Sequence, residues 1–109
     1  MPTISIAGPV RLPRAIREEL FEAIREQGFE PALEDSLVET HDVPSFDVLL
    51  WTRDRLAEPV ALALATAVGR RIARWRSDRN FEGQGPFVRV VFAPDGSELA
   101  KVQVRDLND

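Results

Sequence analysis

Ile4 and Ile6 alternate with Thr3 and Ser5 near the start of the chain, a two-residue period that predicts a short strand. After "AGPVRLP" the period changes. Ile16, Leu20 and Ile24 recur every fourth residue, with Phe21 and Ala23 flanking the stripe and Glu18, Glu19, Glu22 and Glu26 on other faces. That spacing predicts an amphipathic helix. Pro13 suits its first turn, where a missing N–H costs nothing. Gly28 suits the position just past its end, with Phe29 as the apolar residue that follows. Residues 30–39 carry a weaker pattern in Ala32, Leu33, Leu37 and Val38, read as one short edge strand. "ETHDVPS" is a loop punctuated by Pro44 and Ser45. "FDVLLW", residues 46–51, is almost continuously apolar, which predicts a central strand buried on both faces.

A second helix follows. Thr52 or Asp54 offers a cap, and Pro59 sits early in the helix. Ala61, Leu64, Ala65, Val68, Ile72 and Trp75 form one apolar stripe. Gly69 lowers helix propensity by about 1 kcal/mol relative to alanine but permits close packing. "NFEGQGP" is a connector. In "FVRVVFAPDGSELAKVQVR", Val88, Val90 and Phe92 alternate on one side, as do Ala100, Val102 and Val104, and Pro94-Asp95-Gly96 supplies the turn of a hairpin. Residues 106–109 read as a frayed tail. The expected fold is α+β: a two-layer sandwich in the order β-α-β-β-α-β-β, with two helices on one face of a mixed or antiparallel sheet. The chain's 109 residues suit one domain with a modest core.

Composition narrows the chemistry. The chain has no cysteine, which excludes disulfides, thiolate nucleophiles and cysteine zinc sites. The first residues lack the basic region and long apolar run of a signal peptide. The longest apolar stretch, "PVALALATAVG", is about half the length of a membrane span. A soluble, cytoplasmic protein is expected, with no membrane partner. His41 is the only histidine, beside Thr40, Asp42, Ser45 and Asp47. A Ser-His-Asp site is defined by geometry and is conceivable there, but the loop has no nucleophile-elbow pattern. A metal site needs more imidazoles or a spaced carboxylate cage. Gly83 and Gly85 form a G-x-G that precedes a strand instead of a helix, so the dinucleotide signature fails. No catalytic residue, metal ligand or cofactor is assigned.

Charge is unevenly placed. Net charge is −4, yet residues 70–80, "RRIARWRSDRN", hold five arginines against one aspartate. Residues 30–58 hold eight acids against two arginines. Arg70 and Arg74 lie one helical turn apart, Arg71 lies between them and the apolar stripe, and Arg76 lies on the opposite flank. A helix C-terminus favours such charges by about 0.3–1 kcal/mol each, and their stems cover neighbouring apolar surface. The acidic remainder argues against nucleic acid. Separated charge of both signs favours oriented docking to a protein, a second copy of this chain included, and Arg and Trp are enriched at interface hot spots. Arg70, Arg71, Arg74, Trp75 and Arg76 are the candidate contact surface.

The early strand and helix, the Ala/Leu-rich helix ending "RRIARWRSDR" and the closing hairpin "FVRVVFAPDGSELAKVQV" together resemble the small effector-associated constant component domains of bacterial conflict systems. The "NFEGQGP" connector and the "THDVPSFDVLLW" segment depart from that pattern. The resemblance implies a non-catalytic adaptor that couples an effector to an NTPase or sensor. The expected function is a protein-interaction module. The alternative is a small enzyme or ligand-binding domain using the His41–Asp47 loop.

Overall fold

The computed structural model describes residues 2–7, 14–33, 48–75, 87–92, 96–104 and 107; the side chains of residues 7, 14, 15, 75 and 92 lie outside that description. The elements are β1 (Thr3–Ala7), α1 (Arg14–Glu26), β2 (Glu30–Leu33), β3 (Val48–Thr52), α2 (Glu58–Trp75), β4 (Phe87–Phe92) and β5 (Ser97–Gln103). The expected β-α-β-β-α-β-β order is observed. One five-stranded sheet runs in the order β2-β1-β3-β4-β5. It is mixed: β1–β2 and β3–β4 are parallel, while β1–β3 and β4–β5 are antiparallel. The chain is thus two β-α-β units joined antiparallel through β1 and β3, with β5 added at one edge. Their sequences differ too much to display that shared topology.

The end of α1 shows how local sequence sets the path. Gly28 has φ +88°, a conformation costly for any residue with a Cβ. Its N–H donates to the Arg25 carbonyl at 2.9 Å, and the Phe29 N–H donates to the Ile24 carbonyl at 3.2 Å, which is a Schellman ending. Phe29 is buried, and the next N–H, of Glu30, donates to the Pro2 carbonyl at 3.1 Å and starts β2 beside β1. β2 occupies the sheet edge, as expected, and its described part spans four residues; Leu37 and Val38 lie outside the described residues.

Register explains the core. Ile4 sits opposite Thr52 and Ile6 opposite Leu50, while Val48 and Leu50 pair with Val88 and Val90. These positions share the face that the helices cover. From above, Ile16, Leu20, Ala23 and Ile24 of α1 and Ala61, Leu64, Ala65, Val68 and Ile72 of α2 complete one cluster. The expected facing of Val88 and Val90 holds, since both are fully buried. β3 lies in the middle of the sheet and is buried on both faces: Leu49, which points away from the helices, is only 2% exposed. Where α2 crosses the hairpin, a Cβ at Gly69 would collide with the side chain of Leu107 and touch Val88 and Val102. Close approach at Gly69 is therefore used.

One local expectation is corrected. Neither Thr52 nor Asp54 caps α2, which begins at Glu58 with the Ala61 N–H donating to the Ala57 carbonyl at 2.9 Å. The Thr52 hydroxyl instead donates to the Asp54 carbonyl at 3.1 Å and accepts from the Asp54 N–H at 3.2 Å. It closes a tight turn at the end of β3, which satisfies a hydroxyl that is almost wholly buried. In the hairpin, β4 residues 90 and 91 pair with β5 residues 100 and 98, so Leu99 is an extra residue in β5. The bulge lets Leu99 and Ala100 both pack on the core, and leaves Glu98 on the outer face, where it accepts from Arg89 Nη2 at 3.0 Å.

Candidate interaction surface

Among the described residues, the arginines at the end of α2 point in two directions. Arg70 is exposed and has no ion pair among the described residues. Arg71, 100° further around α2, points the other way. Its Nη2 donates to Glu26 Oε1 of α1 at 2.7 Å, and its side chain is 22% exposed. That pair ties the second helix to the end of the first. Arg74 returns to the exposed side one turn beyond Arg70 and is engaged with a neighbour. Trp75 is the last residue of α2; its side chain and all of Arg76 lie outside the described residues. So does the whole His41–Asp47 loop.

Beside Arg70 the structure has a feature the arginines did not announce. An open groove of about 470 Å³ runs along the outer side of α2, lined by Gln27, Pro59, Leu62, Ala63, Thr66, Ala67 and Arg70. Leu62 is 50% exposed and Val60 43% exposed, the largest outward apolar side chains among the described residues of the helix. The inward stripe accounts for Ala61, Leu64, Ala65 and Val68 but not for these. The signal was present in the sequence: residues 59–69 contain no charged side chain. A helix apolar all round normally has cover on every side. Among the described residues, α2 rests on the sheet and α1, and nothing covers its outer side.

No family model, curated protein or solved structure matches this chain.

A second concavity, of about 360 Å³, lies on the sheet face away from the helices, lined by Pro2, Thr3, Ser5, Ala32, Trp51, Arg53 and Asp54. Ser5 sits opposite Trp51 across the β1–β3 ladder. The Thr52–Asp54 turn sets Arg53 and Asp54 at its rim. An aromatic wall, a guanidinium, a carboxylate and two hydroxyls can bind a small polar molecule. This cleft was missed because its parts come from three strands far apart in sequence. Elsewhere on that face the Lys101 ammonium sits 4.5 Å from the centre of the Phe87 ring. Among the described residues no group of three His, Cys, Asp or Glu is placed to hold a metal ion, and no helix is long and apolar enough to cross a membrane.

Proposed function

We propose that this chain is a non-catalytic protein-interaction module that docks a partner on the outer side of α2. The observation that carries the reading is the open groove of Pro59, Leu62, Ala63, Thr66 and Ala67, on a helix uncharged from 59 to 69, with Arg70 at its rim. Apolar patches rimmed by polar residues are where proteins associate. The rim arginines steer encounter and fix orientation, and the apolar centre provides the affinity. Arg71 is a brace between helices and Arg74 is engaged with a neighbour, so Arg70 is the arginine that the groove itself presents to a partner. The resemblance to effector-associated constant component domains supports an adaptor role, with an effector or an NTPase as the partner. The test is a titration against the purified products of adjacent genes at two salt concentrations. Arg70→Glu/Arg74→Glu should weaken binding and flatten its salt dependence while the thermal melt is unchanged. Binding equal to wild type would reject the docking role.

The cleft at Trp51 favours a second reading, a small-ligand domain, because its volume falls within the range of about 300–1,000 Å³ usual for ligand pockets. Thermal-shift screening tests it: a stabilising polar ligand whose effect disappears in Arg53→Ala would carry this reading, and a ligand insensitive to Arg53 would not.

A further inference from the structure

We infer that the cleft at Trp51 holds a free α-amino acid with an apolar or aromatic side chain, its carboxylate on Arg53 and its ammonium on Asp54; this rests on the small-ligand reading above and names the ligand. Ser5 marks the depth of the cleft. It lines the cavity and is only 7% exposed, yet its hydroxyl has no hydrogen bond among the described residues. Its side chain points away from the helices, because Ile4 and Ile6 on either side of it are buried in the core beneath them. Hydroxyls this deeply buried normally have a partner. For Ser5 that partner comes from the occupant of the cleft.

The rim selects the ligand by charge. Arg53 and Asp54 are both exposed, and neither side chain has an ion pair or hydrogen bond among the described residues. The Thr52 hydroxyl holds Asp54 by its backbone N–H and carbonyl, so the turn is fixed and the carboxylate is left for a ligand. A simple anion here meets Arg53 but also the Asp54 carboxylate. A simple cation meets Asp54 but also the Arg53 guanidinium. Juxtaposed like charges exclude such ligands. An α-amino acid satisfies both groups, because it carries both charges on one carbon. Trp51, opposite Ser5 in the β1–β3 ladder and on the same face, joins Pro2 and Ala32 in offering apolar surface to its side chain. The volume of about 360 Å³ is at the lower end of the range of about 300–1,000 Å³ for ligand pockets, which suits one amino acid and not a peptide. A peptide also divides the two charges between its ends.

The probes are L-phenylalanine and L-leucine, with two derivatives that each remove one charge. N-acetyl-L-phenylalanine lacks the ammonium, and L-phenylalaninamide lacks the carboxylate. Binding to the full chain is read by NMR titration at the Ser5, Trp51 and Arg53 resonances. L-phenylalanine should move them with a dissociation constant of about 1 mM or tighter, and each derivative should bind about tenfold more weakly. Arg53→Ala should weaken L-phenylalanine about tenfold and leave L-phenylalaninamide unchanged, since the amide has no carboxylate to lose. Asp54→Asn should weaken L-phenylalanine by a similar factor and leave N-acetyl-L-phenylalanine unchanged. Thermal melts of both variants should match wild type, because only the backbone of Asp54 is used in the turn. If neither amino acid moves these resonances at about 10 mM, ten times the expected constant, the inference is overturned. It is also overturned if either derivative binds as tightly as L-phenylalanine. Where such a derivative still depends on Arg53, the small-ligand reading stands and only the class of ligand is lost. Shifts that are the same in wild type and Arg53→Ala remove both.

Discussion

Leu62 and Leu64 lie two residues apart on one helix, and α2 assigns them opposite jobs. Leu64 is completely buried between helix and sheet; Leu62 is half exposed in the groove. Truncating a buried leucine to alanine costs about 2–5 kcal/mol, because the cavity adds to the lost transfer free energy. Full burial of a leucine contributes about 1.5–3 kcal/mol, so losing the covered half of Leu62 costs about 1 kcal/mol. A chain of this size has roughly 5–15 kcal/mol of stability in total. Leu64→Ala therefore removes a large share of it and lowers the melting temperature by about 8–40 °C, at roughly 4–8 °C per kcal/mol. Leu62→Ala lowers it by about 4–8 °C at low protein concentration. The assay is urea and thermal denaturation of both variants in dilute solution. A protein that docks in the groove should raise wild-type stability as its concentration rises, because it binds only the folded state, and that rise should vanish in Leu62→Ala. If Leu62→Ala costs as much as Leu64→Ala in dilute solution, the outer side of α2 is already packed within one chain. The docking surface would then not exist.

Other outcomes follow from single contacts. Glu26→Gln and Arg71→Met should each cost no more than about 1 kcal/mol, with a coupling of about 0.2–1 kcal/mol in a double-mutant cycle read by urea melts, because the pair is partly solvated. Gly28→Ala should cost roughly 1–2 kcal/mol through backbone strain alone, since a Cβ there meets nothing within 4 Å; a neutral result would mean the helix ends differently. Gly69→Ala should gain about 1 kcal/mol of helix propensity and lose a comparable amount by displacing Leu107, leaving the melting temperature within a few degrees of wild type. His41→Ala should leave folding and partner binding unaltered, and a large loss of any assayed activity with folding intact would move the assignment to an enzyme.

The helices and the hairpin were legible because each buries one face with its own period. Ile16, Leu20 and Ile24 point one way on α1, and Val88 and Val90 point one way on β4, and all five are buried. Gly28 was legible because a left-handed helix end leaves few residue choices. Thr52 was misread because a hydroxyl just before a helix can serve the turn behind it as well as the helix ahead. The bulge at Leu99 was not legible: a register shift is set by what both strands pack against, and Leu99 reads locally as one more alternating position. The cleft of Ser5, Trp51 and Arg53 was hidden for a related reason, since strand order β2-β1-β3 is decided by the whole sheet. The groove on α2 was written in the uncharged run from 59 to 69, but the inward stripe alone explained enough of that run to hide the rest.

The two adjacent arginines at 70 and 71 show why a charge count is a poor guide to a surface. Consecutive helix residues differ by about 100° in direction, so a run of arginines is distributed around the helix instead of gathered. Arg71 turns toward α1 and meets Glu26, which makes it part of how the two helices hold together. Arg70 turns outward at the rim of a groove whose other lining side chains carry no charge of their own. Rim charges of that kind mainly govern the rate and orientation of encounter, and the desolvated centre governs how long a complex lasts. The docking reading therefore depends less on the five arginines than on Leu62, whose exposed half is the largest piece of apolar surface that a partner could remove from water at the centre of the groove.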